Sequence, residues 1–237
     1  MKSNSPTIGL AVIGDEVLLG EVADENIVWI SGELFRLGAD LRYSCVLPDD
    51  LPFIVEHLDW MRKQFKWVIT TGGIGATHDD LTRQAVAKVL GVDLEENADV
   101  IRLLEEKINR PLTEKLRELA RLPAGSRLVA NPVTAAPGFI AGNIISLPGI
   151  PRLIQSMFDE LAELLRGDTL ARSQLLTDQY ESEIAEVLSE AQEKFSKVKI
   201  GSYPMIEKGF RVKLVLRSRS KRELAEAIEF LKKRINT

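Results

Sequence analysis

The 237-residue chain has very few of the residues that staple small folds or hold metals: one cysteine, Cys45, and two histidines, His57 and His78. A single thiol cannot close a disulfide within the chain, and it excludes a cysteine-rich zinc site. The histidines are too few and too scattered for a histidine-based metal centre. Long hydrophobic runs are also missing. No stretch approaches membrane-spanning length, and the opening "MKSNSPTIGLAVIG" is too short in apolar residues for a signal peptide. A cytoplasmic protein with no membrane partner is expected. Positive charge is not in excess, with 31 Lys and Arg against 35 Asp and Glu and a net charge of −4. No nucleic-acid partner is expected from that balance, although a local basic patch is compatible with it. The most basic stretch, "SRSKRELAEAIEFLKKR", reads as a solvated helix face. Cys45 lies in the strand-like run "LRYSCVL" and reads as a small buried hydrophobe.

What is present is an ordinary globular composition, 45% hydrophobic and 28% charged. The length suits one main domain and a small second one. "TIGLAVIG" (7–14) is a nearly continuous apolar run, as a strand buried on both faces requires. Ile27, Ile30, Leu34 and Leu37 share a helix face, and Gly38 is a C-terminal stop. "DLRYSCVL" reads as a second strand. Ile54, Leu58 and Met61 mark another helix, "KWVITT" a third strand, and Leu81 to Leu90 a third helix ended by Gly91. This alternation predicts a three-layer αβα sandwich with a mainly parallel sheet. Residues 93–120 read as one or two surface helices broken near Pro111. Short strands are expected at Arg127–Val129, Phe139–Ala141 and Ile144–Leu147, and one long amphipathic helix over "RLIQSMFDELAELLR". "GDTLARS" is the expected boundary, giving domains 1–167 and 168–237. The second reads as small and α+β, with strands near Gln174–Tyr180, in "KVKIGSYP" and in "FRVKLVLRS", and helices over Ser182–Phe195 and from about Lys221.

The chemistry concentrates in "TTGGIGATHDDLT" (70–82). Thr71 ends a strand, and Gly72, Gly73 and Gly75 follow. Successive N–H groups of a glycine-rich turn can converge on one anion, and a helix start adds unpaired donors. The stretch therefore reads as a phosphate site, yet it carries Asp79 and Asp80. In one reading Thr77 is the N-cap of the helix, Asp80 its third residue, and Asp79 a favourable charge at the helix dipole. In the other, the acids and the phosphate share a divalent cation, because Mg²⁺ takes one or two carboxylates plus phosphate oxygens and water. A second acidic loop, "GDEVLLGEVADEN" (14–26), carries Asp15 and Glu16 and leaves the same sheet edge if both strands are parallel. His78 sits inside the glycine loop, where ligand contact and plain solvent exposure are both open.

"IGDEVLLGEVADEN", "TTGGIGATHDDLT", "NPVTAAPGF" and "LPGIP" occur in the order found in the N-terminal domain of the CinA family, competence/damage-inducible proteins. That domain is similar to molybdopterin-binding domains and to the N-terminal domain of eukaryotic FAD synthases. The resemblance covers residues 7 to about 166. "KVKIGSYP" and "FRVKLVLRS" resemble the small KH-like domain that follows this unit; it lacks a GxxG loop, so RNA clamping is not implied. Neither CinA's amidase domain nor the FAD-synthesising domain is present within these residues, and neither activity is expected.

The resemblance implies a metal-dependent pyrophosphatase acting on ADP-ribose or FAD-like dinucleotides. Its cofactor would be Mg²⁺ or Co²⁺, with K⁺ a further candidate. It also implies phosphate on Gly72, Gly73 and Gly75, a catalytic Asp80 that binds metal or orients the attacking water, with Asp79 beside it, and Asp15 and Glu16 along the same cleft. Asp24 and Asn26 would sit near the ligand or support the loop, and Gly149 and Pro151 would shape the opposite wall. The alternatives are a pterin-phosphate protein of molybdenum cofactor synthesis and a non-catalytic nucleotide-binding module. A homo-oligomer is expected. The chain departs from the family at Ala76 and His78, where prolines are common, at Thr134 for a usual glycine, and at Leu153 for a frequent Glu.

Overall fold

The computed structural model describes residues 4–108, 111–205 and 211–236. The chain divides into two compact units, one ending at Gly167 and the next beginning at Asp168. In the first unit the order is β1 (Thr7–Ile13), a single turn α1 (Asp15–Leu18), α2 (Asn26–Leu37), β2 (Asp40–Leu47), α3 (Leu51–Gln64), β3 (Trp67–Thr71) and α4 (Thr82–Leu90). Then come β4 (Leu94–Glu96), α5 (Ala98–Ile108), α6 (Glu114–Glu118), β5 (Arg121–Pro123), β6 (Arg127–Val129), β7 (Gly138–Ala141), β8 (Ile144–Leu147) and α7 (Pro151–Met157). A 3₁₀ turn (Phe158–Leu161) and α8 (Ala162–Leu165) close the unit.

The main sheet has the order β2-β1-β3-β8-β7-β6. Strands β2, β1, β3 and β8 are parallel, while β7 and β6 run antiparallel. Alternate side chains of each strand serve opposite faces, and each face has its own core. Ala11, Ile13, Val68, Phe139 and Ile144 meet Ile54, Leu58 and Met61 of α3, Ala85 and Val86 of α4, and Val100 and Leu104 of α5. Ile8, Leu10, Ile69, Ile145 and Leu147 meet Ile30, Leu34 and Leu37 of α2, Ile154 and Met157 of α7, and Leu161 and Leu165. Two helix layers on one mainly parallel sheet make the αβα sandwich.

Four local expectations change. The helix expected over "RLIQSMFDELAELLR" is interrupted at Phe158–Leu161. A 3₁₀ turn aligns residues three apart, and here it buries both Phe158 and Leu161, with Phe158 edge-on to Trp29 at 5.2 Å between ring centroids. Residues 93–120 also contain the small antiparallel pair β4–β5, and α5 buries Val100 and Leu104 rather than lying on the surface. Cys45 is only half-buried, because β2 is the edge strand; its thiol lies 3.9 Å from the Leu10 carbonyl oxygen. Finally, Thr77 does not cap the third helix. That helix begins at Thr82, whose N–H is held by the Gly73 carbonyl at 2.9 Å, while Thr77–Asp80 closes a turn of its own. Leu81 packs on the core and draws the helix start beyond the acids.

The second unit is a three-stranded antiparallel sheet in the order β10 (Lys199–Pro204), β11 (Val212–Ser218), β9 (Ala171–Thr177), with α9 (Glu181–Lys194) and α10 (Lys221–Lys232). Leu175, Val212, Leu214 and Leu216 point to one face and pack on Ile184, Ala191, Leu224, Ala227 and Leu231 of the helices. Ser220 caps α10 by accepting the Glu223 N–H at 3.2 Å. Phe210, which begins the expected strand "FRVKLVLRS", lies outside the described residues.

Candidate functional site

The chain leaves β1, crosses to β2 on one side, and returns to β3 on the other side of β1. Such a reversal opens a crevice at the carboxyl ends of the parallel strands, where ligands of open α/β sheets bind. Here all four parallel strands deliver residues to one cleft. Gly14 and Glu16 follow β1, Asp49 follows β2, Gly72 to Asp80 follow β3, and Pro148 to Ile150 follow β8. Thr134 and Ala136 from the β6–β7 loop and Leu153 complete a cavity of about 360 Å³. That volume falls in the range of small-molecule sites.

The glycines have specific local tasks. Gly72 has φ of 92°, and a Cβ there would lie 2.2 Å from the Ile13 carbonyl oxygen, so only glycine lets β3 turn out beside β1. Gly73 has φ of 66° and faces the Thr82 hydroxyl. That hydroxyl donates to the Gly72 carbonyl at 2.8 Å, tying the loop to α4. The Gly72 N–H is spent on the Leu147 carbonyl at 3.1 Å. The Gly75 N–H donates to Asp80 Oδ1 at 2.6 Å, and the Thr77 N–H and hydroxyl donate to Asp80 Oδ2 at 2.7 and 2.5 Å. Asp80 therefore organises the loop from within. The N–H groups of Gly73 and Ile74 make no hydrogen bond among the described residues, which leaves them for an incoming anion.

Behind the loop lies Arg83. Its side chain is nearly buried, at 7% exposure, and its guanidinium donates to the Ile74 and Gly75 carbonyls. Burial pushes the guanidinium below its usual pKa, against the raising influence of Asp80 and Glu118. Those carbonyls share peptide planes with the Gly75 and Ala76 N–H groups, so Arg83 braces the far side of the loop; the planes carrying the Gly73 and Ile74 N–H groups are held by Thr82, whose hydroxyl and N–H donate to the Gly72 and Gly73 carbonyls.

The cleft's other side is acidic. Glu16, Asp49, Asp79 and Asp80 all line it. Asp15 and Asp49 bind reciprocally: the Asp15 N–H donates to Asp49 Oδ2 at 3.0 Å and the Asp49 N–H to Asp15 Oδ1 at 3.2 Å. Burial raises the Asp49 carboxyl above its ordinary value; the Asp15 N–H opposes this, and the charges of Asp15, Glu16 and Asp79 add to it. Asp79 is shifted down, chiefly by the Thr77 hydroxyl and by its own N–H. Among the described residues no three His, Cys, Asp or Glu converge closely enough to hold a metal unaided.

A smaller cavity of about 70 Å³ adjoins the cleft, sharing Ile13, Glu16 and Gly149 with it, and is lined by Asn26, Thr71 and Pro151. Asp24 caps α2, accepting the Asn26 and Ile27 N–H groups at 3.1 and 3.0 Å. Asn26 Nδ2 donates to the Gly149 carbonyl at 2.7 Å. Asn26 Oδ1 and Thr71 Oγ1 are buried without a hydrogen-bond partner. Two orphaned oxygens in one small cavity call for a water or a donor group of a ligand.

Thus Glu16, Gly72, Gly73, Gly75, Asp79, Asp80 and Gly149 meet in the cleft, and Asn26, Thr71 and Pro151 in the adjoining cavity. Asp15 and Thr77 stand behind, binding Asp49, Asp79 and Asp80. The His78 side chain is 97% exposed, 3.9 Å from Asp79. Asp49 and Arg83 were missed. Asp49 follows "VLP" with no motif around it, and Arg83 reads as an ordinary helix residue; only the parallel pairing of β2 with β1 and the packing of α4 bring them in.

Fold and site together define a three-layer α/β protein with a glycine turn and an acidic wall at its sheet's switch point. Residues 9–167 match the family described as a probable molybdopterin binding domain, and the chain belongs to that family. Residues 169–237 match the middle domain of FAD synthase. A protein of Aeropyrum pernix is 32% identical over 246 residues, covering 96% of this chain and 92% of its own length. A CinA-like protein of Geobacter sp. strain M21 is 36% identical over 160 residues, which is 65% of this chain but 39% of that protein. The crystal structure of a CinA protein of unknown function from Thermoplasma acidophilum superposes with a TM-score of 0.64 at 29% identity, covering 68% of this chain and 99% of that one.

Proposed function

We propose that the first unit is a nucleotide pyrophosphatase that hydrolyses the diphosphate linkage of ADP-ribose or an FAD-like dinucleotide. The observation that carries this reading is the union, in one cleft of about 360 Å³, of free Gly73 and Ile74 amides with the carboxylates of Glu16, Asp49 and Asp79. Amides alone would bind phosphate without need of acids, and acids alone would repel it. Together they fit a diphosphate accompanied by Mg²⁺ or Co²⁺, which needs only one or two protein carboxylates. Glu16 and Asp49 would hold the cation, and when bound it would neutralise charge on the phosphoryl oxygens.

The residues of the chain do the rest. The Gly73–Ile74 turn, tied to α4 through Thr82, orients one phosphate. Asp80 keeps the turn closed. The Asp79 carboxylate, its rotamer fixed by the Thr77 hydroxyl, accepts a proton from water as the new P–O bond forms. The anhydride P–O bond breaks, and its electron pair leaves with the second phosphate. Asn26 Oδ1 and Thr71 Oγ1 would accept hydroxyl donors of the ligand's sugar.

The test is turnover of a panel of diphosphate nucleotides by the purified protein with Mg²⁺ or Co²⁺. Conversion to mononucleotides is expected, with loss in Glu16→Gln and Asp79→Asn; no turnover across the panel would sink the reading. The family match favours a second one, a pterin phosphate held in the same cleft. Tight molybdopterin binding without dinucleotide hydrolysis would select it.

A further inference from the structure

The outer face of the second unit's sheet has nine strand positions, set by the pairing of β10, β11 and β9. One rung is Lys199–Arg217–Arg172, the next Gly201–Val215–Gln174, and the third Tyr203–Lys213–Leu176. The face thus carries four cations and no acid. Three of the cations stand side by side across adjacent strands, which lie about 4.8 Å apart, so they fall within about 10 Å. Like charges directly opposite one another destabilise a sheet. None of the four forms an ion pair among the described residues, although such pairs are frequent elsewhere on this protein. A row of like charges is a cost that a bound anion would lower.

The aromatic on this face has an unusual seat. A Cβ built on Gly201 would lie 2.9 Å from Tyr203 Cε2 and 3.0 Å from its hydroxyl oxygen. The Tyr203 ring therefore lies along its own strand, over the space that Gly201 leaves empty. It is still 42% exposed, and Lys213 Nζ is 5.9 Å from its centroid. A ring laid on a sheet, with the Lys213 ammonium only at the edge of its reach, keeps exposed ring surface for stacking.

We propose that this sheet face binds single-stranded nucleic acid, with a base stacked on Tyr203 and the backbone running over Lys213, Arg217, Arg172 and Lys199. Stacking on an aromatic beside a cationic track is how unpaired strands are held without sequence preference. Val215 at the centre of the face is buried, and the exposed positions around it, Arg172, Gln174, Lys199 and Tyr203, suit an extended polyanion better than an enclosed small nucleotide. An acidic protein would answer the cations but leaves the exposed ring without a purpose. The proposal is independent of the cleft and of the reaction assigned to it.

The test uses the full chain and fluorescein-labelled dT20 and U20, followed by anisotropy. Micromolar binding is expected at 50 mM salt. Three to four phosphate contacts should give a slope of about −2 to −3 in log affinity against log salt. Tyr203→Ala should weaken binding about tenfold and Tyr203→Phe should not, since both aromatic rings stack. Arg172→Ala/Arg217→Ala should weaken it and flatten the slope by about 1.4. Arg172 and Tyr203 are exposed and Arg217 half-buried, and an unchanged circular dichroism spectrum checks the fold. Diphosphate turnover should be unaffected. Absence of binding at 50 mM salt overturns the proposal. So does binding indifferent to Tyr203→Ala, or a salt-sensitive self-association abolished by the same variants, which would assign the face to a second copy of the chain.

Discussion

Replacing Arg83 by Met tests whether the cleft depends on a cation buried behind it. The guanidinium forks between two loop carbonyls, those of Ile74 and Gly75, from a nearly buried position. Hydrogen bonds to charged groups are each worth about 1.5–3 kcal/mol, so the pair contributes roughly 3–6 kcal/mol. Against that stands the desolvation of the guanidinium, the same effect that lowers its pKa, and Met removes this penalty while keeping much of the volume. A net destabilisation of roughly 2–3 kcal/mol follows. For a unit of this size that is a fall of about 4–12 °C in Tm, read by calorimetry. The functional consequence is separable from stability. With the Ile74 and Gly75 carbonyls unanchored, the loop segment that directly follows the Gly73 and Ile74 amides loosens, and affinity for inorganic pyrophosphate should drop several-fold at a temperature where the variant is fully folded. Arg83→Lys should recover less than half, because an ammonium cannot fork across two carbonyls. A Met variant with unchanged Tm and unchanged pyrophosphate affinity would refute the reasoning.

Gly72→Ala should cost roughly 3 kcal/mol or more, since it combines a left-handed φ with a Cβ against the Ile13 carbonyl; chemical denaturation measures it, and a loss below about 1 kcal/mol would mean that the β1–β3 crossing relaxes easily. Burial raises the Cys45 thiol above its ordinary 9.0, so the neutral form is the one the fold favours. Its stability contribution is complete below that value and is lost as pH rises through the folded pKa; Cys45→Ala should therefore lose less stability than the parent above pH 9, and iodoacetamide should label native Cys45 slowly at pH 8. On the pyrophosphatase reading, Leu153→Glu adds a carboxylate to the cleft wall and should lower the Mg²⁺ concentration for half-maximal turnover several-fold; no shift would place residue 153 outside the reach of the cation.

Much of the site was legible because its residues are local in the chain. The glycine loop, Asp79, Asp80 and Glu16 sit in two short segments just after two strands, and periodicity alone identifies those strands. The role of Asp80 was less legible. Spacing from Thr77 suggested a helix cap, whereas the carboxylate closes the loop through Gly75 and Thr77. The difference arises because Leu81 is drawn into the core and delays the helix to Thr82, a packing decision with no local signature.

The sequence by itself determined the strand–helix alternation, the two-faced burial of β1 and β3, and the turn chemistry of the glycine loop. These depend on residue period and on backbone freedom, both properties of neighbours in the chain. Only the tertiary structure decided that Asp49 joins Glu16 and Asp79, that Arg83 braces the loop, and that Arg172, Lys199, Lys213 and Arg217 share a face with Tyr203. Each of these depends on which strand lies beside which, and in what register. A net charge of −4 concealed the basic face because charges sum over the whole chain, whereas a field acts where side chains are brought together.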